Sequence, residues 1–301
     1  MAQRVEQLAH PATTAPRTDR QSVLRRVIRV ARRKPLGAFG GVIILLMLFM
    51  AIFAEWIAPF HYNKTHVRDR LKPPSATYIL GTDNLGRDIF SRIVYGARIS
   101  MVVSLSSVCI GIVLATLVGT TSGYFGGVFD TVIQRFVDAW MAFPGLVVLL
   151  SIMAIVGAGI VNLTIALGVL VAAGTSRIIR SATLSVREHT YIEAARAVGA
   201  SHGRILWRYI LPNVMAPIII AATVTLGFVI LAEASLSFLG FGVPPPYPSW
   251  GLMLNGSGRV FMLRAPWMAL WPGIAVSLAV FGFNMFGDAL RDVLDPRLRG
   301  T

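Results

Sequence analysis

The chain has 301 residues, 55% of them hydrophobic and 14% charged, with a mean hydropathy of +0.67 and a formal charge of +14. Soluble domains carry about 25% charged residues, so this composition excludes an ordinary water-soluble globule and points to a membrane protein. The basic excess lies in short segments between apolar runs, as topology determinants do, and not in the polar fold that a nucleic-acid binder would need.

Residues 1–21, with Pro11 and Pro16 among small polar residues, read as a disordered tail. Over 22–34, Leu24, Val27, Ile28 and Ala31 recur at helical spacing among five arginines. That pattern predicts a basic amphipathic helix on an anionic inner leaflet, or a charged flank that fixes orientation. The following apolar run begins too late for a cleavable signal peptide. It covers 36–54 without a charge, enough to span ~30 Å of hydrocarbon, and Trp56 follows where an interfacial aromatic belongs.

A polar segment, 59–98, separates this first transmembrane region (36–58) from a core of five further spans within 99–290. The spans are expected at 101–125, at 132–156 with a kink at Pro144, at 161–176, at 213–236 and at 266–286. Between Asp138 and Arg177 there are 38 uncharged residues, too many for one span, so the break is placed at Gly157-Ala158-Gly159. Arg135 and Asp138 are spaced to pair. The single cysteine, Cys109, lies in an apolar run and reads as a packing residue. With the N-terminus inside, the segments 1–35, 123–143, 177–212 and 291–301 hold 19 basic residues, against 9 in the outward ones. The bias favours six spans with both termini in the cytoplasm.

Enzyme chemistry finds little support. Gly199-Ala200-Ser201-His202-Gly203 fits the letters of a nucleophile elbow, but that motif needs a strand before it and a sheet around it. The five histidines are scattered and none forms H-E-x-x-H. No G-x-x-x-x-G-K-[ST] loop is present to cradle nucleotide phosphates. Glu233, late in the fifth span, is costly in hydrocarbon. It is expected either at the outer mouth of a pathway or in a structural hydrogen bond or inter-subunit pair. Asp288 and Asp292, a turn apart beside Arg291, read as a solvated helix end. A secondary transporter would bury more ionisable groups in mid-membrane.

The most informative stretch is 190–212, T-Y-I-E-A-A-R-A-V-G-A-S-H-G-R-I-L-W-R-Y-I-L-P, a polar island between membrane-length runs. Thr190 and Glu193 have the spacing of a capping box, and Ala194, Ala195 and Ala197 favour helix while allowing close approach. Gly199 supplies a left-handed stop, Ser201 a cap for a second helix carrying Ile205, Leu206, Tyr209 and Ile210, and Pro212 the start of a new segment. Helices this short are marginal alone, so a soluble partner is expected to hold them.

E-A-A-R-A-V-G at 193–199 with L-P at 211–212 resembles the EAA signature of permease subunits of bacterial ABC importers. L-G-T-D-N-L-G-R-D at 80–88, E-A-S-L-S-F-L-G-F-G at 233–242, P-S-W-G at 248–251 and G-D-A-L-R-D-V-L-D-P-R-L-R-G at 287–300 narrow the likeness to the C-type permease of dipeptide, oligopeptide and nickel importers. The resemblance implies an all-α integral membrane protein of the bacterial inner membrane, with six transmembrane helices in a MetI-like type I ABC importer permease fold. It further implies a second homologous permease, two ATP-binding subunits carrying ATP and Mg, an extracytoplasmic solute-binding protein and a peptide substrate. A nickel or other metal complex is the alternative solute. The chain itself would bind no cofactor or metal and hydrolyse nothing. Glu193, Ala194, Ala195, Arg196, Gly199 and Pro212 would form the element that couples it to the ATPases.

Overall fold

The computed structural model describes residues 34–255 and 257–294. The basic helix expected over 22–34, the tail before it and the end of the C-terminal motif lie outside the described residues, except for Lys34. The described chain is helical, and extended pairing among its residues is confined to one isolated bridge, Thr82 with Asp88.

Among the described residues five helices are long and apolar enough to cross a bilayer, or six spans if one bent pair is counted as a span. We number the helices in chain order. Helix α1 is Pro35–Ile52, followed by a single turn, α2 (Ala54–Ile57). After an irregular segment, α3 runs Ile89–Phe125. The bent pair is α4 (Gly127–Met141) and α5 (Gly145–Val156), with 84° between them. Helix α6 is Ile160–Arg187, α7 Thr190–Ala197 and α8 His202–Ile205. A π turn, Leu206–Ile210, leads into α9 (Leu211–Phe238). Two short helices, α10 (Trp250–Leu254) and α11 (Ser257–Val260), precede α12 (Trp267–Leu294).

The observed spans depart from the sequence expectation in instructive ways. Helix α3 begins twelve residues before the apolar run, because Asp88 caps it: its Oδ2 accepts from the backbone N–H and the hydroxyl of Ser91 at 2.8 and 2.6 Å. At 37 residues it is about 55 Å long, so a polar turn or two projects beyond ~30 Å of hydrocarbon. Pro144 does more than kink the third span. It stands at the start of a separate helix, and the chain turns through nearly a right angle. Pro212 sits in the first turn of α9, as expected of a segment start, although the helical run as a whole is continuous from His202 through the π turn to Phe238. Cys109 is not a packing residue within this chain but is exposed on the outer side of α3.

Helices α3 and α6 form the spine. Their backbones meet through glycines: a Cβ on Gly111 would lie 2.8 Å from the carbonyl oxygen of Gly168, and one on Gly119 2.6 Å from that of Ser176. In an apolar solvent, where hydrophobicity cannot drive helix association, such close backbone approach supplies the dispersion contacts that hold spans together. One cluster (Val103, Leu149, Leu163, Leu167, Val229) fills the space among α3, α5, α6 and α9. A second packs α1 and α12 onto the far end of α3 through Met47, Ile93, Trp250 and Phe283. A third lies under α7 and α8.

Candidate functional site

The 190–212 segment folds as a compact knob at the end of α3 and α6. Helix α7 buries Ile192 and Ala195, and the following turns bury Ile205 and Ile210, against Tyr124, Ile179 and Val214. The residues expected to couple therefore divide between two faces. Ala195 faces the body and glues the knob on, whereas Glu193, Ala194, Arg196, Gly199 and Pro212 are exposed. Val198 and Trp207 stand out beside them, 84% and 70% exposed, an apolar surface that the described residues do not cover. The capping box does not form: His189 is the N-cap, so Thr190 lies one residue inside the helix, and no side chain caps it. Gly199 takes φ 77°, as its left-handed role requires, and the Ser201 hydroxyl accepts from the N–H of Arg204 at 3.4 Å. Residues 177–187, read as part of the loop, continue α6.

Polar links tie the knob to the spine. The Tyr124 hydroxyl lies 2.8 Å from Nδ1 of His202, and the Arg196 guanidinium stands 5.3 Å over the Tyr124 ring. Arg187 donates to the carbonyls of Gly123 and Tyr124 at 3.3 Å each. About two turns back along α6 from Arg187, Arg180 gives both prongs to Asp130 of α4, which also accepts from the hydroxyl of Ser122 on α3. Asp138 pairs with Arg177 more closely than with Arg135, which is 3.9 Å away. Sequence reasoning missed Tyr124, Arg180 and Asp130, because each sits inside or beside an apolar run whose partner is fifty or more residues away.

Between α4, α5, α6 and α9 lies an open apolar cavity of about 490 Å³, walled by Trp140, Phe143, Leu170, Thr175, Val224 and Phe228. The indole Nε1 of Trp140 is buried there without a hydrogen-bond partner among the described residues. Glu233 is fully buried within this chain, and its carboxylate accepts from Ser237 at 2.8 Å and Ser100 at 3.1 Å. Asp292, expected in solvent, bonds Lys34 at 2.6 Å and so pins the end of α12 to the start of α1. Among the described residues no group of three or more His, Cys, Asp or Glu side chains could hold a metal ion.

Two of the other motifs, 80–88 and 248–251, build the opposite end. In 80–88, Gly81 and Gly86 have positive φ, and Asp83 closes the turn with Oδ1 accepting from the N–H groups of Leu85 and Arg87. In 248–251, Ser249 caps α10, and Trp250, 1% exposed, donates Nε1–H to the carbonyl of Ile93 at 3.0 Å.

An all-helical bundle of five or six spans, with a two-part polar knob at one end, is the architecture of a permease subunit. Residues 107–300 match the family of binding-protein-dependent transport system inner membrane components, and residues 22–74 match the N-terminal TM domain of oligopeptide transport permease C. The chain belongs to this permease family and is a multi-pass inner-membrane protein. It is 42% identical over 275 residues to the dipeptide transport system permease protein of Alkalihalophilus pseudofirmus, covering 91% of this chain and 90% of that one. It is 40% identical to the glutathione transport system permease protein of Pectobacterium atrosepticum, covering 89% of each. The fold is like that in an inward-facing structure of the MetNI methionine ABC transporter, with a TM-score of 0.55 at 20% identity over 68% of this chain and 96% of the other.

Proposed function

We propose that the chain is the pathway-forming subunit of an ATP-driven importer that moves di- or oligopeptides inward across the bacterial inner membrane. ATP is hydrolysed by partner subunits that seize the knob. The observation that carries this reading is the knob itself: a short helix glued on by Ile192 and Ala195, with Glu193, Ala194, Val198 and Trp207 left outward for another protein. A rigid element so placed passes a push from a closing ATPase pair to α3, α6 and α9, which join it, and packed helices respond by switching between discrete arrangements. A second permease completes the pathway, with the apolar cavity beside Trp140 on its wall. A solute-binding protein delivers the peptide to the far end, and both termini lie in the cytoplasm. Likeness to dipeptide and glutathione permeases supports a peptide solute.

Reconstitution tests this directly. Proteoliposomes holding the chain with its partner permease, ATPase pair and binding protein should accumulate labelled dipeptide only with ATP inside the ATPase compartment. Uptake by the chain alone, driven by an ion gradient, would overturn the assignment.

A further inference from the structure

At the end of the molecule away from the knob, the turn before α3 and its first helical turns wall a cavity of about 210 Å³. Arg92 lies on the same helix as Tyr124, 32 residues earlier, which sets it about 48 Å away. Asp83, Arg87, Arg92 and Asn255 line the cavity, and the exposed Pro245-Pro246 forms its rim.

The charges on this wall do not balance. Among the described residues Asp83 is its one carboxylate and is already engaged: Oδ1 takes two backbone N–H groups, and Oδ2 takes Nε of Arg87 at 2.6 Å. Nε of Arg92 is 3.9 Å from that same Oδ2, beyond hydrogen-bond distance. The Arg92 guanidinium makes one hydrogen bond among the described residues, from Nη1 to the Tyr62 carbonyl at 3.3 Å. Yet its side chain is only 5% exposed. A guanidinium has five N–H donors and cannot shed its proton, so burying one with so few acceptors is unfavourable unless something else supplies them. The cavity is where such an acceptor fits, and its net single positive charge matches a monoanion.

We propose that this cavity is a binding site for one carboxylate group, held by charge-assisted bonds from Arg92 and Arg87. The carboxylate belongs either to the C-terminus of a free peptide or to an acidic side chain of a protein docking on this end. The site stands on its own geometry and is independent of the transported solute's identity.

The test uses the full chain in lipid nanodiscs with the subunits that co-purify with it. Calorimetric titration compares acetyl-Ala-Ala bearing a free carboxylate with the same dipeptide amidated. The free acid is expected to bind at least tenfold more tightly. Arg92→Met should abolish that difference, Arg92→Lys should keep part of it, and Arg87→Gln should reduce it. In the second arm, affinity for the purified solute-binding protein is measured with the same variants, each first shown to unfold at the wild-type temperature. A tenfold loss there, with no discrimination between acid and amide, assigns the carboxylate to the docking protein. Equal binding of acid and amide, with docking unchanged by Arg92→Met and Arg87→Gln, would overturn the proposal.

Discussion

The hydroxyl of Tyr124 lies 2.8 Å from Nδ1 of His202, and this contact fastens the second part of the knob to the end of α3. The same ring carries the Arg196 guanidinium 5.3 Å over it, so one nearly buried side chain holds both parts of the knob. If the knob moves the spans, Tyr124 is a joint through which the movement passes. Tyr124→Phe keeps the ring contacts and loses a hydrogen bond worth about 1 kcal/mol. Tyr124→Ala loses all of them. The expected result is a graded loss of uptake, roughly tenfold or more for the alanine variant, while ATP hydrolysis by the assembled importer persists. Measuring uptake and hydrolysis side by side separates uncoupling from loss of the complex. Tyr124→Ala transporting at the wild-type rate would show that force travels elsewhere.

On the outward face, Glu193→Lys reverses a charge at the proposed ATPase contact without touching the knob's own packing. Gly199→Asp forces a side chain onto a left-handed residue, at a cost of about 1 kcal/mol, although among the described residues no atom beyond its chain neighbours lies within 4 Å of the added Cβ. Both variants should insert and assemble their spans normally and yet lose coupled uptake. Co-purification with the ATPase subunits is expected to weaken for Glu193→Lys. Retention of full uptake by both would mean that 190–212 is not the coupling surface.

Much of this was legible in the sequence, and the parts that were not share a cause. Spans, the Gly199 turn and the Ser201 cap follow from local composition and spacing, which a linear reading sees. The start of α3 was hidden because Arg92 and Arg98 interrupt the hydropathy of residues that are nonetheless helical. Asp88 as N-cap was the available signal. That Ala195 is buried while Ala194 is exposed depends on what α7 packs against, and that is a tertiary fact. The Asp130–Arg180 and Tyr124–His202 links join residues 50 and 78 apart, and no periodicity reports them. Glu233 was recognisable as unusual, but its serine partners include Ser100, 133 residues away.

Within the 59–98 segment, Asp69 accepts from Lys72 at 2.5 Å and from the Tyr78 hydroxyl at 2.7 Å. The bond to Lys72, then that to Tyr78, hold the Asp69 carboxyl below its ordinary range. The bond to Asp69, then burial, push the Tyr78 phenol up to about 12. The signs follow from linkage. Asp69 contributes above the ordinary carboxylate range and its contribution is lost as pH falls through its lowered value. Tyr78 contributes below its ordinary 10.0 and its contribution is lost as pH rises through about 12. Hydrogen exchange over residues 67–82, taken relative to the intrinsic rate at each pH, should therefore be slowest at neutral pH and lose protection towards both extremes. Asp69→Asn should speed it at neutral pH and return the Tyr78 titration towards 10.0, read as the ultraviolet difference from Tyr78→Phe. An unshifted Tyr78 titration in Asp69→Asn would refute the pairing.

Glu233 separates a structural role from a transport one. Its carboxylate is enclosed by the hydroxyls of Ser237 and Ser100, and Ser237 also accepts from the N–H of Val243 at 3.2 Å, so one cluster joins α3, α9 and the loop after α9. Glu233→Gln keeps the shape and most of the bonding, whereas Glu233→Ala strands buried hydroxyls and opens a void. Stranding buried polar groups costs about 1–3 kcal/mol, and a void adds to it. Glu233→Ala should therefore lower the unfolding temperature in detergent markedly, and Glu233→Gln only slightly. Uptake per folded complex should be near wild type in Glu233→Gln, because a group sealed by serines meets no solute. A Glu233→Gln variant that is fully stable but fails to transport would place the carboxylate on the solute's route after all, and would require the cluster to open during the cycle.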